Sequence, residues 1–125
     1  MIGKRKNAEA AIQRELVRYL ARTQFSFEIK VAASQNENSR HAVNQGMDKG
    51  EPDLRLAVRV DDTAHFFFLE LKTLTGTLIP SQIEWNADFD ENYASSNWSR
   101  DVAYGLVEAK EKINNWLLTL SDNRI

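Results

Sequence analysis

Asp53, Glu70 and Lys72 are the residues whose types and spacing most clearly suit chemistry. Asp53 follows Pro52 in Gly50-Glu51-Pro52-Asp53-Leu54, and Glu70 and Lys72 flank Leu71 at the end of the apolar run that begins at Phe66. Breaking a phosphodiester needs an activated water, neutralisation of the charge growing on the phosphoryl oxygens, and stabilisation of the leaving oxygen. Asp53 and Glu70 can offer oxygen ligands to one or two magnesium or manganese ions, and the main-chain carbonyl of Leu71 is a natural further ligand. Lys72 can orient or deprotonate water and hold its negative charge. The competing explanation is structural: a Glu70 to Lys72 ion pair at a strand end.

Composition narrows the metal. The chain has no cysteine and only two histidines, His41 and His65, so thiolate and histidine-rich centres are excluded. Oxygen ligands favour a hard cation such as Mg2+, Mn2+ or Ca2+. With 125 residues, 42% of them hydrophobic, residues 1–125 are expected to form one domain with its own core. No apolar run approaches the roughly 18 residues of a membrane span and no secretory leader is visible, so the expected setting is the cytoplasm without membrane association.

The elements that must position these residues follow from hydrophobic periodicity. Ala8, Ile12, Leu16, Tyr19 and Leu20 recur at helical spacing from about Asn7 to Arg22. At about 100° per residue Glu9 falls at the edge of that stripe, where it can reach a metal-bound water beside the core. Phe25 to Val31 alternates as a half-buried strand, and Ala33 to Gly50 reads as a long polar loop. Asp53 to Val60 alternates again, with Leu54, Leu56, Val58 and Val60 on one face. The chain returns through Asp61-Asp62-Thr63 into the Phe66 to Leu71 strand, which makes an antiparallel hairpin with Asp53 at its mouth. Glu70 and Lys72 then share a face with Phe66 and Phe68.

Pro80-Ser81 opens a second helix with Gln82 in its first turn and Ile83, Ala87 and Phe89 expected inward. Asn92 to Arg100 reads as a polar loop carrying Tyr93 and Trp98, the latter able to stack on an unpaired base. Val102 to Tyr104 reads as a short strand ended by Gly105, and Val107 to Leu120 as an amphipathic helix with Ile113, Trp116, Leu117 and Leu120 inward. The order α-β-β-β-α-β-α implies an α/β fold, a mixed β-sheet flanked by helices.

Charge is uneven along the chain. Residues 1–22 hold six cations against two acids, and residues 61–125 hold five against eleven. Lys4, Arg5 and Lys6, with Arg40, His41 and Lys49 of the long loop, are candidate phosphate-binding residues. A solvated helix face accounts equally well for the first three.

Pro52-Asp53 and Glu70-Leu71-Lys72 together resemble the PD-(D/E)XK nuclease signature. The wider pattern is similar to the VRR-Nuc group of that superfamily: Glu9-Ala10-Ala11-Ile12-Gln13, Gly50-Glu51-Pro52-Asp53-Leu54, Phe68-Leu69-Glu70-Leu71-Lys72, Gly76 with Pro80-Ser81-Gln82, and Val102-Ala103-Tyr104-Gly105. The resemblance implies a restriction-endonuclease-like core. It also implies metal ligation by Asp53, Glu70 and the Leu71 carbonyl, a catalytic Lys72, help from Glu9 through water, and positioning of Lys72 or its water by Gln82. Members usually carry a small apolar residue where this chain has Glu51, which is left outside the site. Stand-alone members resemble phage or bacterial enzymes, so a phage-encoded chain would act in the cytoplasm of its bacterial host. They act as homodimers on branched DNA such as four-way (Holliday) junctions, where two-fold symmetry of protein and substrate would match.

Two other readings remain at this stage. One is a non-catalytic nucleic-acid-binding module that retains the nuclease fold. The other is a small phosphate-ester hydrolase, for which no Gly-rich phosphate cradle is present.

Overall fold

A computed structural model describes residues 2–33 and 50–122, with side chains over 8–33 and 50–121. Helix α1 (Ile2–Arg22) is followed by β1 (Ile29–Ala33), β2 (Leu54–Val60), β3 (Thr63–Lys72), α2 (Pro80–Asn92), β4 (Trp98–Tyr104) and α3 (Leu106–Asp122). The four strands form one sheet in the order β1-β2-β3-β4. β1 and β3 are antiparallel to β2, and β4 runs parallel to β3, so the sheet is mixed as its alternation of elements implied.

The β2–β3 hairpin has the expected register. Leu54 pairs with Leu69 and Val60 with Thr63, and Asp61 turns the chain at φ 56. The even residues of β2 and the odd residues of β3 face one way, and Leu54, Leu56, Val58, Phe67, Leu69 and Leu71 are all buried there. Leu16 and Leu20 of α1 and Ile113, Leu117 and Leu120 of α3 close this core from outside. Phe67 stacks on Trp116 at 5.2 Å, and Asn114 donates to the Tyr19 hydroxyl at 3.1 Å, joining the two helices.

Helix α2 covers the opposite face, over β3 and β4. Phe68 lies 5.7 Å from Trp85, 5.4 Å from Phe89 and 5.7 Å from Trp98. This aromatic cluster fixes α2 over the end of β3 that carries Glu70.

Some elements differ from their sequence-based expectation. β1 starts at Ile29, because Phe25 and Phe27 pack from the bend after α1: Phe25 meets Tyr19 edge-on at 6.0 Å and Phe27 is buried. β4 starts at Trp98, so Trp98 is a strand residue rather than a loop residue, and Phe66 N–H donates to Asn97 at its threshold. Ile83 and Ala87 of α2 face solvent, while Gln82, Asn86 and Phe89 are buried. The helix is turned so that its polar residues meet a polar end of the sheet. Ala8 of α1 is also exposed. The expected loop from Ala33 lies, over residues 34–49, outside the described residues.

Candidate active site

The site forms where β3 outruns β2. Glu70, Leu71 and Lys72 pair with Val102, Ala103 and Tyr104 of β4, but β2 begins only at Leu54, opposite Leu69. Pro52, fully buried and without an N–H, cannot extend the ladder. Asp53 takes its place with a side chain: Leu71 N–H donates to Asp53 Oδ2 at 2.9 Å, and Asp53 N–H donates to Glu70 Oε2 at 3.1 Å. Each acid thus accepts from the backbone beside the other, and both carboxylates are held at the strand ends.

Strand geometry also orients the Leu71 carbonyl. Lys72 accepts from Gly105 N–H at 2.8 Å on the β4 side. Because backbone groups alternate along a strand, the carbonyl of Leu71 leaves on the other side, the one from which its N–H reaches Asp53. Asp53, Glu70 and this carbonyl therefore border one space.

Gln82 links the second helix to the site. Its Oε1 accepts from Ile79 N–H at 2.9 Å, capping α2, and its Nε2 donates to Glu70 Oε1. Glu70 is 3% exposed and Gln82 5%, so each would be expensive to bury without the other. Lys72, 6% exposed, lies with its Nζ 4.0 Å from Glu9 Oε1 of α1. The lysine's ion pair thus reaches a helix carboxylate, while Glu70 is engaged by Gln82 and the Asp53 amide.

Gly50 sets the distance between the Pro52-Asp53 turn and α2. It has φ 87, and a Cβ there would lie 2.1 Å from the carbonyl oxygen of Ser81. Only glycine lets the chain before Asp53 lie against the first turn of α2. Glu51, which the sequence left unexplained, stands 3.8 Å from Arg55 of β2.

The structure brings together Asp53, Glu70, Leu71, Lys72, Glu9 and Gln82 from three strand and helix elements and the turn before β2. Among the described residues no group of three His, Cys, Asp or Glu side chains could hold a metal ion. The donor set instead comprises two carboxylates and a main-chain carbonyl. That set suits a hard cation of the magnesium type, which is ordinarily held by one or two carboxylates and completes its shell with water and substrate oxygens. The side chains of Lys4, Arg5 and Lys6, and all of Arg40, His41 and Lys49, lie outside the described residues. His65, five residues before Glu70 on β3, is buried on the opposite face of the sheet, and its Nδ1 has no hydrogen-bond partner among the described residues.

Sequence reasoning missed Asn86, one turn beyond Gln82 and buried at 7%. Its spacing of four from Gln82 was the available signal. It also missed the Lys112 cluster beside β4, where Lys112 Nζ contacts Asp101 at 2.9 Å, the Val102 carbonyl at 2.6 Å and Glu108 at 3.5 Å.

No protein-family model and no curated protein matches the chain. Among solved structures, a VRR_NUC domain protein superposes with a TM-score of 0.64, covering 90% of this chain and 89% of its own, at 17% sequence identity. The α/β core of a mixed sheet between helices is thus a VRR-Nuc domain fold. No helix among the described residues is long and apolar enough to cross a membrane.

Proposed function

We propose that the chain is a Mg2+- or Mn2+-dependent DNA endonuclease that hydrolyses phosphodiester bonds and selects branched DNA, four-way junctions in particular, as a homodimer. The observation that carries this reading is the reciprocal hold of Asp53 and Glu70 across the open end of the hairpin, beside a buried lysine. A purely structural strand end would favour apolar residues here, since burying charge costs several kcal/mol unless it is compensated.

Asp53, Glu70 and the Leu71 carbonyl would hold the metal, with Glu9 engaging it through water. When bound, the metal would polarise the phosphoryl oxygens and lower the pKa of water near it. Lys72 leaves β3 on the face of Glu70 and carries its ammonium to 4.0 Å from Glu9, where it could donate hydrogen bonds to the attacking water or to a non-bridging phosphate oxygen. Glu9 holds that ammonium from the α1 side. Gln82 on one oxygen and the Asp53 amide on the other fix the rotation of the Glu70 carboxylate, and each oxygen keeps a lone pair that could take up a metal. In hydrolysis the water oxygen bonds to phosphorus and gives up a proton, the ester P–O bond breaks, and a proton passes through solvent to the leaving oxygen.

The VRR-Nuc fold of the solved neighbour supports the nuclease reading, although fold alone does not fix function. Junction selectivity and the homodimer rest on the resemblance of motifs, as does action in a bacterial host's cytoplasm if the chain is phage-encoded.

The test is cleavage of labelled linear, flap and four-way DNA by wild type, Asp53→Ala and Lys72→Ala, with magnesium, manganese or chelator. Wild type should cut only with metal, and both variants should lose activity while remaining folded. Failure of wild type to cut any substrate with either metal sinks the enzyme reading and leaves a binding module. Equal cutting of linear and four-way DNA removes the junction preference alone, and a monomeric mass with DNA present removes the dimer.

A further inference from the structure

The face of the sheet that carries Glu70 and Lys72 is divided in two. Cross-strand partners share a face, so the pairs Arg55 with Phe68, Ala57 with Phe66 and Lys30 with Ala57 place Arg55, Arg59 and Lys30 on the same face as Phe66, Phe68 and Glu70. Over β3 and β4 that face is covered by α2 through its contacts with Phe68. Over β1 and β2 the three cations are exposed.

The two halves carry opposite charge. α2 contains Glu84, Asp88, Asp90 and Glu91 and no cation. Asp90 is taken up by Arg100 of β4, at 2.9 Å from its Nε, and Glu84, Asp88 and Glu91 are exposed. On the other half, Arg59 makes no ion pair among the described residues. Arg55 is held by Glu51 only at 3.8 Å, and Lys30 meets Glu28 at 3.2 Å with both side chains about four-fifths exposed. The exposed Lys30–Glu28 pair is worth little and exchanges readily for another anion, and the long contact to Glu51 leaves the half-exposed Arg55 side chain available to one.

Spacing suits a polyanion that continues outward from the site. Arg55 pairs with Phe68, two residues before Glu70 on the same face, a diagonal of roughly 7–8 Å. Arg59 lies four residues further along β2, or ~13 Å away at ~3.3 Å per residue. Lys30, opposite Ala57, falls between them on the neighbouring strand. The row ends at the exposed Asp61 and Asp62 of the hairpin turn.

We propose that the open β1–β2 half of the sheet, through Arg55, Arg59 and Lys30, carries the phosphate backbone of DNA leading to the Asp53–Glu70 site, while acidic α2 repels it from the other half. This rests on the reading that the site acts on DNA. It assigns the approach of the substrate to residues other than the N-terminal and loop cations, and it gives that approach a direction.

The experiment measures binding of a fluorescent DNA duplex by anisotropy in chelator, over a series of salt concentrations. It compares wild type, Arg59→Gln, the Arg55→Gln/Arg59→Gln double variant, and Glu84→Gln/Asp88→Asn on α2. Each lost phosphate contact should flatten the plot of log affinity against log salt by about 0.9, so the double variant should lose about two units of slope and bind on the order of 10-fold more weakly. The α2 variant should bind as tightly as wild type or tighter.

Wild-type affinity and slope in the arginine variants, with unchanged melting temperatures, overturn the proposal. Arg59→Gln breaks no ion pair among the described residues, so its loss of about one unit keeps the test valid if the double variant unfolds. Separate cleavage assays distinguish the two readings. DNA bound through these arginines but never cut supports the surface and sinks the nuclease, and cleavage with unchanged binding in the arginine variants sinks the surface alone. Absence of any binding by wild type at low salt overturns the proposal, and the nuclease reading is then decided by cleavage.

Discussion

Replacing Gly50 with alanine should both destabilise the protein and slow it. The Cβ of alanine would lie 2.1 Å from the Ser81 carbonyl oxygen and 2.6 Å from its carbon, where ordinary contact begins at 3.4 Å. The obstacle is backbone within the first turn of α2, so no side-chain rotation relieves it. At φ 87 an L-residue also incurs left-handed strain of ~1–2 kcal/mol. Overpacking of this kind adds ~1–3 kcal/mol after relaxation. The expected total is about 2–5 kcal/mol, a large part of the 5–15 kcal/mol typical of a domain. At roughly 4 °C per kcal/mol, the melting temperature should fall by about 8–20 °C.

Relaxation must move either the Pro52-Asp53 turn or the start of α2, and either movement separates Asp53 from the Glu70–Gln82 pair. A displacement near 1 Å can cost ~100-fold in rate. The assay is thermal unfolding by circular dichroism, paired with cleavage measured well below the variant's melting temperature. A variant melting within about 2 °C of wild type and cutting at the same rate would refute the idea that Gly50 sets the spacing of the site.

Two further substitutions separate structural from chemical roles. Gln82→Leu leaves the Ile79 amide without its acceptor and Glu70 with one donor fewer, so stability should fall by about 1–3 kcal/mol in urea unfolding and cleavage should fall further than in an Ile83→Ala control on the exposed side of α2. Burial acts on Lys112 to lower its pKa, but the hydrogen bond and charge of Asp101, aided by Glu108, outweigh it and hold the ammonium above its usual 10.5. A pKa raised on folding stabilises the native state below the unfolded value, and that contribution disappears as pH rises through the folded value. Lys112→Met should therefore be less stable than wild type at neutral pH, with the gap closing in strong alkali. A gap independent of pH would mean that packing of the side chain, not its charge, is responsible.

How much of this was legible in sequence depended on the physical signal each part left. The hairpin was readable because Leu54 to Val60 alternates strictly and its register is pinned by the turn at Asp61-Asp62. The order of elements and the convergence of Asp53 with Glu70 followed from it. The rotation of α2 was not readable from hydrophobicity, since its inward face carries Gln82 and Asn86 while Ile83 is outside. The feature that mattered there was polar satisfaction of Glu70, a contact between residues twelve apart that periodicity does not encode. Trp98 was misplaced because Ser95, Ser96 and Asn97 look like loop on one side, whereas its strand character comes from pairing with Phe66. The division of the sheet into basic and acidic halves was invisible in net charge, because it depends on cross-strand register.

Gln82 has one further consequence. Its amide serves two partners at once: the oxygen caps α2 at Ile79, and the nitrogen steadies Glu70. If Glu70 rearranges on taking up a metal ion or DNA, as proposed, the change would pass through this one side chain to the cap of the helix. The exchange rate of the Ile79 amide with deuterated solvent should then report events at the carboxylates, as an internal probe of occupancy that requires no label and no turnover.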